Sequence, residues 1–265
     1  MTNLIPHTQI PPQSHSSLST FETCPRQYEA RYILKTLPYQ ETVATAWGNA
    51  AHDALEKFVK ASGRYEFPDL RHPENGRSLR DYQWAGEMML ERAARRGGYV
   101  LAERSIAVDH NKDTTNYWDK QAWIRGKVDV TILYPALGEA EVFDYKSSAK
   151  KKADAAQLKL YSASAITDYS EVQTVKSGFI WLNFKNDGPV DRPAVYSRAE
   201  LPQLWGVFEG KYAALQNAYA TGVFPPKPSG LCKNYCGVEA CEFMGRGLLR
   251  PWYSLRYKLC CWPCP

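Results

Sequence analysis

The stretch that decides the fold is AWIRGKVDVTIL, residues 122–133, followed by EVFDYK, residues 141–146. β-Branched and aromatic residues dominate both runs, which predicts two buried strands separated by turn-forming residues. Each run carries one aspartate, Asp129 in the first and Asp144 in the second. Because side chains alternate along a strand, Asp144 and Lys146 lie on the same face. An acid and a base therefore stand side by side on the second strand.

Outward from these strands, the sequence alternates between helical and extended patterns. Residues 50–62 place apolar side chains at helical spacing with His52 beside that stripe, and residues 79–96 predict a second helix. The remaining predictions are strands at 99–108, 176–183 and 192–197 and helices at 153–166 and 200–221. This order predicts an α/β or α+β class, a mixed central sheet flanked by helices.

Bulk composition is that of a globular protein with one main domain. The chain has 265 residues, 44% hydrophobic and 23% charged, and a net charge of +5, which is compatible with a polyanionic partner without identifying one. No run of about 18 apolar residues and no signal-like N-terminus is present, so we expect a cytoplasmic protein with no membrane. The domain boundaries that we predict are a mobile arm over 1–17, a main domain over 18–224, a cysteine-rich segment over 225–245 and a tail over 246–265.

Two carboxylates near one point can hold the Mg²⁺ that phosphodiester hydrolysis uses. Asp144 and Lys146 alone would more often form a simple ion pair. The order of further matches changes this interpretation: WGNAAHDALEKF with His52, GKVDV with Asp129, FDYKS with Asp144 and Lys146, then QLKLY with Gln157 and Tyr161. Together these motifs resemble the PD-(D/E)XK nuclease superfamily, and within it the RecB-like, CRISPR-associated exonuclease branch.

The resemblance runs from about residue 18 to Cys241, and it implies a restriction-endonuclease-like sheet. It also implies roles for residues at matching positions. His52, Asp129, Asp144 and the backbone carbonyl of Tyr145 would bind Mg²⁺ or Mn²⁺, and Lys146 would orient or activate the attacking water. Gln157 and Tyr161 would help to hold the site or the DNA, and together with Asp129, Asp144 and Lys146 they make up the predicted catalytic set.

The function that follows is a DNA exonuclease in recombination, repair or phage genome processing. Its partners would be DNA ends or single strands and a helicase or recombination protein, and a phage-encoded chain would act in the host cytoplasm. The rival from another class is a catalytically inactive DNA-binding or assembly module of the same fold.

Bland interpretations of single residues also stay open. His52 alone would be a satisfied histidine at a helix edge, and Gln157 with Tyr161 an i,i+4 pair. Glu103 occupies a strand position where relatives carry an acid, although an acid on a half-exposed strand is usually just solvated. Trp47, Tyr145 and Tyr161 could stack on bases, but aromatic residues at such positions are more often core.

The seven cysteines cluster, with Cys24 near the start and six in the last 34 residues. Cys232, Cys236 and Cys241 with Cys24 make four thiolates, one upstream of the main domain and three downstream. This split resembles the four-iron cluster of some RecB-like nucleases, although the spacing between Cys232 and Cys236 departs from theirs. A 4Fe-4S cluster, a Zn²⁺ site and unligated cysteines are the alternatives. Cys260, Cys261 and Cys264 of the tail receive no role.

Overall fold

The structure, a computed structural model, describes residues 10–188, 190 and 194–246. In this part of the chain, five strands form one mixed sheet. The strands lie in sequence order; β3 and β4 are parallel, and the other neighbouring pairs are antiparallel. Their bounds are β1 Tyr99–Val108, β2 Ile124–Tyr134, β3 Glu139–Lys146, β4 Thr174–Trp181 and β5 Ala194–Ser197.

Helices cover both faces of the sheet. The helices are α1 His15–Thr23, α2 Pro25–Tyr28, α3 Val43–Lys60, α4 Gln83–Arg95, α5 Ala155–Asp168, α6 Leu201–Thr221 and α7 Leu231–Asn234. Side chains of α3 and α4 pack in one buried cluster, and those of α1, α5 and α6 pack in another on the opposite face. The predicted fold class, a mixed sheet flanked by helices, is confirmed. Among the described helices, none is long and apolar enough to cross a bilayer.

Helix α5 makes the crossover between the parallel strands β3 and β4. Parallel neighbours need such a connection, because the chain must return to the same end of the sheet. Asp154 caps this helix by accepting a hydrogen bond from the backbone N–H of Ala156 at 2.9 Å. The crossover therefore starts close to the end of β3, where Asp144 and Lys146 lie.

The alternation of side chains along β1 and β2 is interrupted at one point. Val128 packs in the cluster with α5 and α6, whereas Val130 packs in the cluster with α3 and α4, although both are even-numbered positions. Asp129 lies between them, and the pairing of the two strands skips this position and Glu103 opposite it. Glu103 has a φ of +50°, a left-handed conformation that costs a non-glycine residue free energy. The two acids thus share one local distortion of the sheet.

The N-terminal part differs from the prediction of a mobile arm over 1–17. Gln13 forms a parallel bridge with Ile124 and is 1% exposed, and Ser14 caps α1, which begins at His15. The buried Gln13 carboxamide accepts from the hydroxyls of Ser17 at 2.9 Å and Tyr28 at 3.1 Å. These hydrogen bonds hold residues 13–17 on the main domain, and residues 1–9 lie outside the described part of the chain.

The C-terminal segment, 225–246, lies against the region where α1 ends. Lys227 donates from Nζ to the carbonyl of Glu22 at 2.8 Å and from its backbone N–H to Cys24 Sγ at 3.4 Å. A side chain at Gly237 would meet Leu37 at 2.7 Å, so this contact also brings the two parts together. Apart from Arg246, the predicted tail lies outside the described residues, and so do Cys260, Cys261 and Cys264.

A buried ion pair joins the central strand β3 to α4, and it gives a stability prediction. Glu141 is 1% exposed and accepts from two nitrogens of Arg92. Glu141→Gln should lower the free energy of unfolding by about 2 kcal/mol, because it leaves a half-buried guanidinium without its charge partner. Urea unfolding followed by circular dichroism measures this loss. The matched control is Glu91→Gln, whose exposed pair with Arg95 should contribute under about 0.5 kcal/mol; equal losses would contradict the prediction.

Candidate active site

Helix α3 brings His52 to the end of β3. The His52 Nδ1 atom lies 3.2 Å from Asp129 Oδ1, and its Nε2 atom lies 3.1 Å from the backbone carbonyl oxygen of Tyr145. A close approach of the helix makes this possible, because a Cβ at Gly48 would already be 3.2 Å from Ser147 Oγ. The imidazole therefore faces an oxygen acceptor at each of its nitrogens.

Asp129 is fixed between two neighbouring strands. Its Oδ2 atom accepts a hydrogen bond from the backbone N–H of Tyr145 at 2.7 Å, and the side chain is 8% exposed. Glu103 joins this group from β1, because ligand atoms of Glu103, His52 and Asp129 all lie within 4.8 Å of one another. These three side chains and the Tyr145 carbonyl place nitrogen and oxygen donors around one point.

Asp144 and Lys146 form a second, adjoining part of the site. Lys146 Nζ lies 2.6 Å from Asp144 Oδ2 and donates to Gln157 Oε1 at 2.9 Å. The Gln157 carboxamide in turn donates to Asp144 Oδ1 at 2.6 Å and contacts the Tyr161 hydroxyl at 2.9 Å. Gln157, supported by Tyr161 one helical turn further along α5, thus holds both Asp144 and Lys146.

The carboxylates of this site repel one another in a buried place. Burial and the charge of Asp129 raise the pKa of Asp144 to about 7, although Lys146 opposes the shift. Burial would lower the pKa of His52, but the charge and hydrogen bond of Asp129 raise it to about 9. Burial and Asp129 also raise the pKa of Glu103. Such an excess of buried negative charge favours a bound cation.

The predicted residues His52, Asp129, Tyr145, Asp144, Lys146, Gln157 and Tyr161 thus meet in one region of the structure. Sequence reasoning ranked Glu103 below them, yet its carboxylate lies in the group with His52 and Asp129. Asn183 was missed: its side chain donates to the carbonyls of Ser147 and Ser148 at 2.7 and 3.2 Å and so holds the chain after Lys146. Nothing in the local sequence around Asn183 signals this contact.

The aromatic residues considered for base stacking lie in the core. Trp47, Tyr145 and Tyr161 are 6%, 3% and 6% exposed. Burial also raises the pKa of the Tyr145 and Tyr161 hydroxyls above their usual range. Stacking of bases on these rings is therefore wrong, and the alternative that they are core residues holds.

The four cysteines named above form a separate candidate site. All four thiols are free, and the pKa of Cys236 is raised by burial and by the neighbouring thiols of Cys232, Cys241 and Cys24. Backbone N–H groups point at two of the sulfurs, from Lys227 to Cys24 and from Ser229 to Cys232, each at 3.4 Å. The upstream and downstream thiols thus face one another across the N- and C-terminal parts.

Comparisons with known proteins identify the family to which this chain belongs. The model of the PD-(D/E)XK nuclease superfamily matches residues 12–241. The chain therefore belongs to this superfamily, which supports a hydrolytic nuclease activity in general and the use of a divalent metal. No curated protein matches the sequence.

Solved structures show a distant likeness. One is a crystal structure from Eubacterium rectale whose name describes a candidate exonuclease; it is 14% identical, with 91% of this chain and 90% of that chain covered and a TM-score of 0.47. Another is the crystal structure of SSO0001, 13% identical, with 87% and 85% covered and a TM-score of 0.36.

Proposed function

We propose that this protein is a Mg²⁺- or Mn²⁺-dependent deoxyribonuclease of the RecB-like branch that acts as an exonuclease. The observation that carries the proposal is the pairing, within one buried site, of Asp129 against His52 and of Asp144 against Lys146. A binding module of the same fold has no need of this combination, because two like charges close together destabilise the empty site.

The donor set fits a hard divalent cation. Carboxylate and carbonyl oxygens are the ligands that Mg²⁺ and Mn²⁺ prefer, and a neutral imidazole can complete the set. His52, Asp129, Asp144 and the Tyr145 carbonyl would hold the ion. Glu103 is a further candidate ligand, because its carboxylate lies within 4.8 Å of the ligand atoms of His52 and Asp129. The bound ion would neutralise charge on the scissile phosphate and lower the pKa of a water molecule.

The protein's own side chains would orient the reactants. In hydrolysis, a water oxygen forms a bond to phosphorus while the bond from phosphorus to the leaving deoxyribose oxygen breaks, and negative charge develops on the phosphoryl oxygens. Lys146 has three N–H donors; one donates to Gln157 Oε1, and the ammonium forms an ion pair with Asp144 Oδ2. A remaining N–H can donate to the attacking water or to a phosphoryl oxygen, so Lys146 would stabilise the charge that develops.

Gln157 would act as a positioning residue rather than as a reacting group. Its carboxamide holds Asp144 and Lys146 at once, and the Tyr161 hydroxyl fixes the carboxamide. Such a network keeps the ammonium beside the carboxylate before the substrate arrives, which lowers the cost of ordering the site.

The biological setting follows from the resemblance to RecB-like nucleases. Processing of DNA ends in recombination, repair or phage genome maturation, beside a helicase or recombination protein, is the role proposed for this chain. The cysteines support the same branch, and we propose that Cys24, Cys232, Cys236 and Cys241 bind a 4Fe-4S cluster, with Zn²⁺ as the alternative.

Digestion of DNA by the purified protein tests the proposed activity. We expect linear duplex or single-stranded DNA to be shortened from its ends with Mg²⁺ or Mn²⁺, and closed circular DNA to resist. EDTA should stop the reaction. Cleavage of circular DNA would replace exonuclease with endonuclease, and failure to cut any DNA with either metal would favour the inactive DNA-binding module.

A further inference from the structure

An exposed tryptophan, a partly buried tyrosine and an arginine lie beside the candidate active site and have no part in the proposed hydrolysis. Trp118 is 78% exposed, the highest value for a large hydrophobic side chain among the described residues. The guanidinium of Arg125 lies over the rings of Tyr117 and Trp118, at 5.5 and 5.9 Å from their centroids. The two rings are in edge contact at 5.0 Å. We call Tyr117, Trp118 and Arg125 the aromatic platform.

The loop that presents the platform is ordered by its own hydrogen bonds. The backbone N–H of Trp118 donates to Asn116 Oδ1 at 2.8 Å, and Asp119 accepts from the Thr115 hydroxyl and the backbone N–H of Gln121, each at 2.8 Å. These bonds order the loop, and the mostly exposed indole is contacted by the Tyr117 ring and the Arg125 guanidinium. An aromatic ring that is fixed beforehand loses little conformational entropy when a ligand stacks on it.

A cleft of about 350 Å³ connects the platform with the candidate active site. Two platform residues, Tyr117 and Arg125, line it together with Lys127, Gln157 and Tyr161. Gln157 is the residue that donates to Asp144, so the cleft leads to the acid of the site. Its volume lies within the range of about 300–1,000 Å³ that small-molecule sites occupy, which suits one or two nucleotides.

The charges of this region fit a phosphate backbone. Arg125 and Lys127 follow one another on β2 with one residue between them, and the Lys127 side chain is 58% exposed. Bases of single strands stack on aromatic side chains and on arginine, whereas the bases of a duplex are already stacked on one another. The chemistry of the platform is thus matched to an unpaired strand and not to a duplex.

We propose that the aromatic platform binds an unpaired base of a single DNA strand and guides that strand through the cleft to the active site. The proposal rests on the proposed function, since it names the form of DNA that the site receives. Stacking on one aromatic residue contributes about 1–3 kcal/mol per base. The platform therefore sets a preference for single-stranded over double-stranded DNA.

Equilibrium binding measures this preference without cleavage. Fluorescence anisotropy in EDTA compares a labelled twelve-nucleotide oligo(dT) with a duplex of equal length. Trp118→Ala should raise the Kd for oligo(dT) about tenfold and the Kd for the duplex less than about twofold. Trp118→Phe should restore single-strand binding, because it keeps a flat ring, and Arg125→Lys should weaken it although it keeps the charge.

Tyr99→Ala is the matched control. Tyr99 is an aromatic residue, 48% exposed, at the opposite end of β1. Eight residues of about 3.3 Å each separate it by roughly 26 Å from Ala107, which pairs with Arg125. Its replacement should leave both Kd values unchanged.

The outcomes separate this proposal from the nuclease assignment. Unchanged oligo(dT) binding by Trp118→Ala, an equal loss for single strands and duplex, or no DNA binding by the wild-type protein would overturn the platform. If the wild-type protein binds oligo(dT) through Trp118 but cuts no DNA with Mg²⁺ or Mn²⁺, the platform is supported and the nuclease activity is refuted. If Trp118→Ala cuts DNA and binds oligo(dT) as the wild-type protein does, the nuclease activity is supported and the platform is refuted.

Discussion

Asp144→Asn is expected to lower the rate of metal-dependent DNA cleavage by at least about 10³-fold. The Asp144 side chain is 3% exposed, and its two oxygens face Lys146 and Gln157. An asparagine removes the negative charge and places an NH₂ group against one of these two donors. We therefore expect weaker metal binding and a displaced Lys146 ammonium. The initial rate on linear DNA at saturating Mg²⁺ is the measurement.

The stability of the same variant should move in the other direction. Burial and Asp129 raise the pKa of Asp144 from its ordinary value near 3.8 to about 7. A folded-state pKa above the unfolded one means that ionisation of this group costs stability, increasingly as the pH rises from about 4 to 7 and fully above that. At pH 8, neutral asparagine should therefore give a melting temperature equal to or above that of the metal-free wild-type protein. A loss of activity in a protein that is no less stable separates a catalytic role from a structural one.

Two further variants complete this test. Asp53→Asn changes an exposed acid one residue after His52, paired with Lys57 at 2.7 Å, and should leave the rate within about twofold. Lys146→Ala should lose cleavage as Asp144→Asn does, because it removes the ammonium from the same site. Unchanged cleavage by Asp144→Asn or by Lys146→Ala would refute the assignment of the site.

Local patterns account for part of the predicted arrangement, and the grouping of the residues into one site comes from the resemblance to the nuclease superfamily. Helical spacing places His52 at the edge of a buried stripe, and strand alternation places Asp144 with Lys146, so both depend on neighbours along the chain. Glu103 could not be placed in the same way. Its carboxylate joins His52 and Asp129 because β1 adopts a positive φ at this one residue, and no local preference for such a conformation is visible in the sequence.

In the N-terminal region, the helical spacing of Phe21, Cys24, Tyr28 and Tyr32 after Ser19 favours a single helix. The structure instead has two helices, because α1 ends at Thr23 and α2 begins at Pro25. Cys24 between them is extended, as residues before proline tend to be. The break gives Cys24 an extended backbone that a continuous helix would not have. By contrast, the burial of Gln13 depends on residues that tertiary folding brings to it.

Cys24→Ser is expected to abolish binding of the metal that we propose for the four cysteines. Anaerobically purified wild-type protein should be brown, with visible absorbance and about four iron atoms per chain; the variant should be colourless. Cys24 is the one proposed ligand upstream of the main domain, so its loss opens the connection to the segment at 225–246. Iron, acid-labile sulfide and zinc analyses provide the measurement, and Cys261→Ser, which changes a tail cysteine with no assigned role, should keep the metal. A colourless wild-type protein with stoichiometric zinc would decide for the zinc alternative, and one without either metal would refute the site.

Loss of the proposed metal should also loosen the C-terminal segment, because few of its side chains are buried apart from its contacts through Lys227 and Gly237. Only Cys232 and Val238 are buried among the described residues from 231 to 246, and metal ligation often supplies the free energy that such short segments lack. Limited proteolysis should therefore cut Cys24→Ser after residue 225 at least about tenfold faster than the wild-type protein.

The rate of DNA cleavage should change less in Cys24→Ser than the rate of proteolysis. Helix α1 contacts the start of α5 through His15 Nε2 and Asp154 Oδ2 at 3.0 Å, but Gln157 keeps its own bonds to Asp144 and Lys146. Cleavage by the variant that falls as far as in Asp144→Asn would show that the cysteines belong to the catalytic machinery rather than to a separate staple.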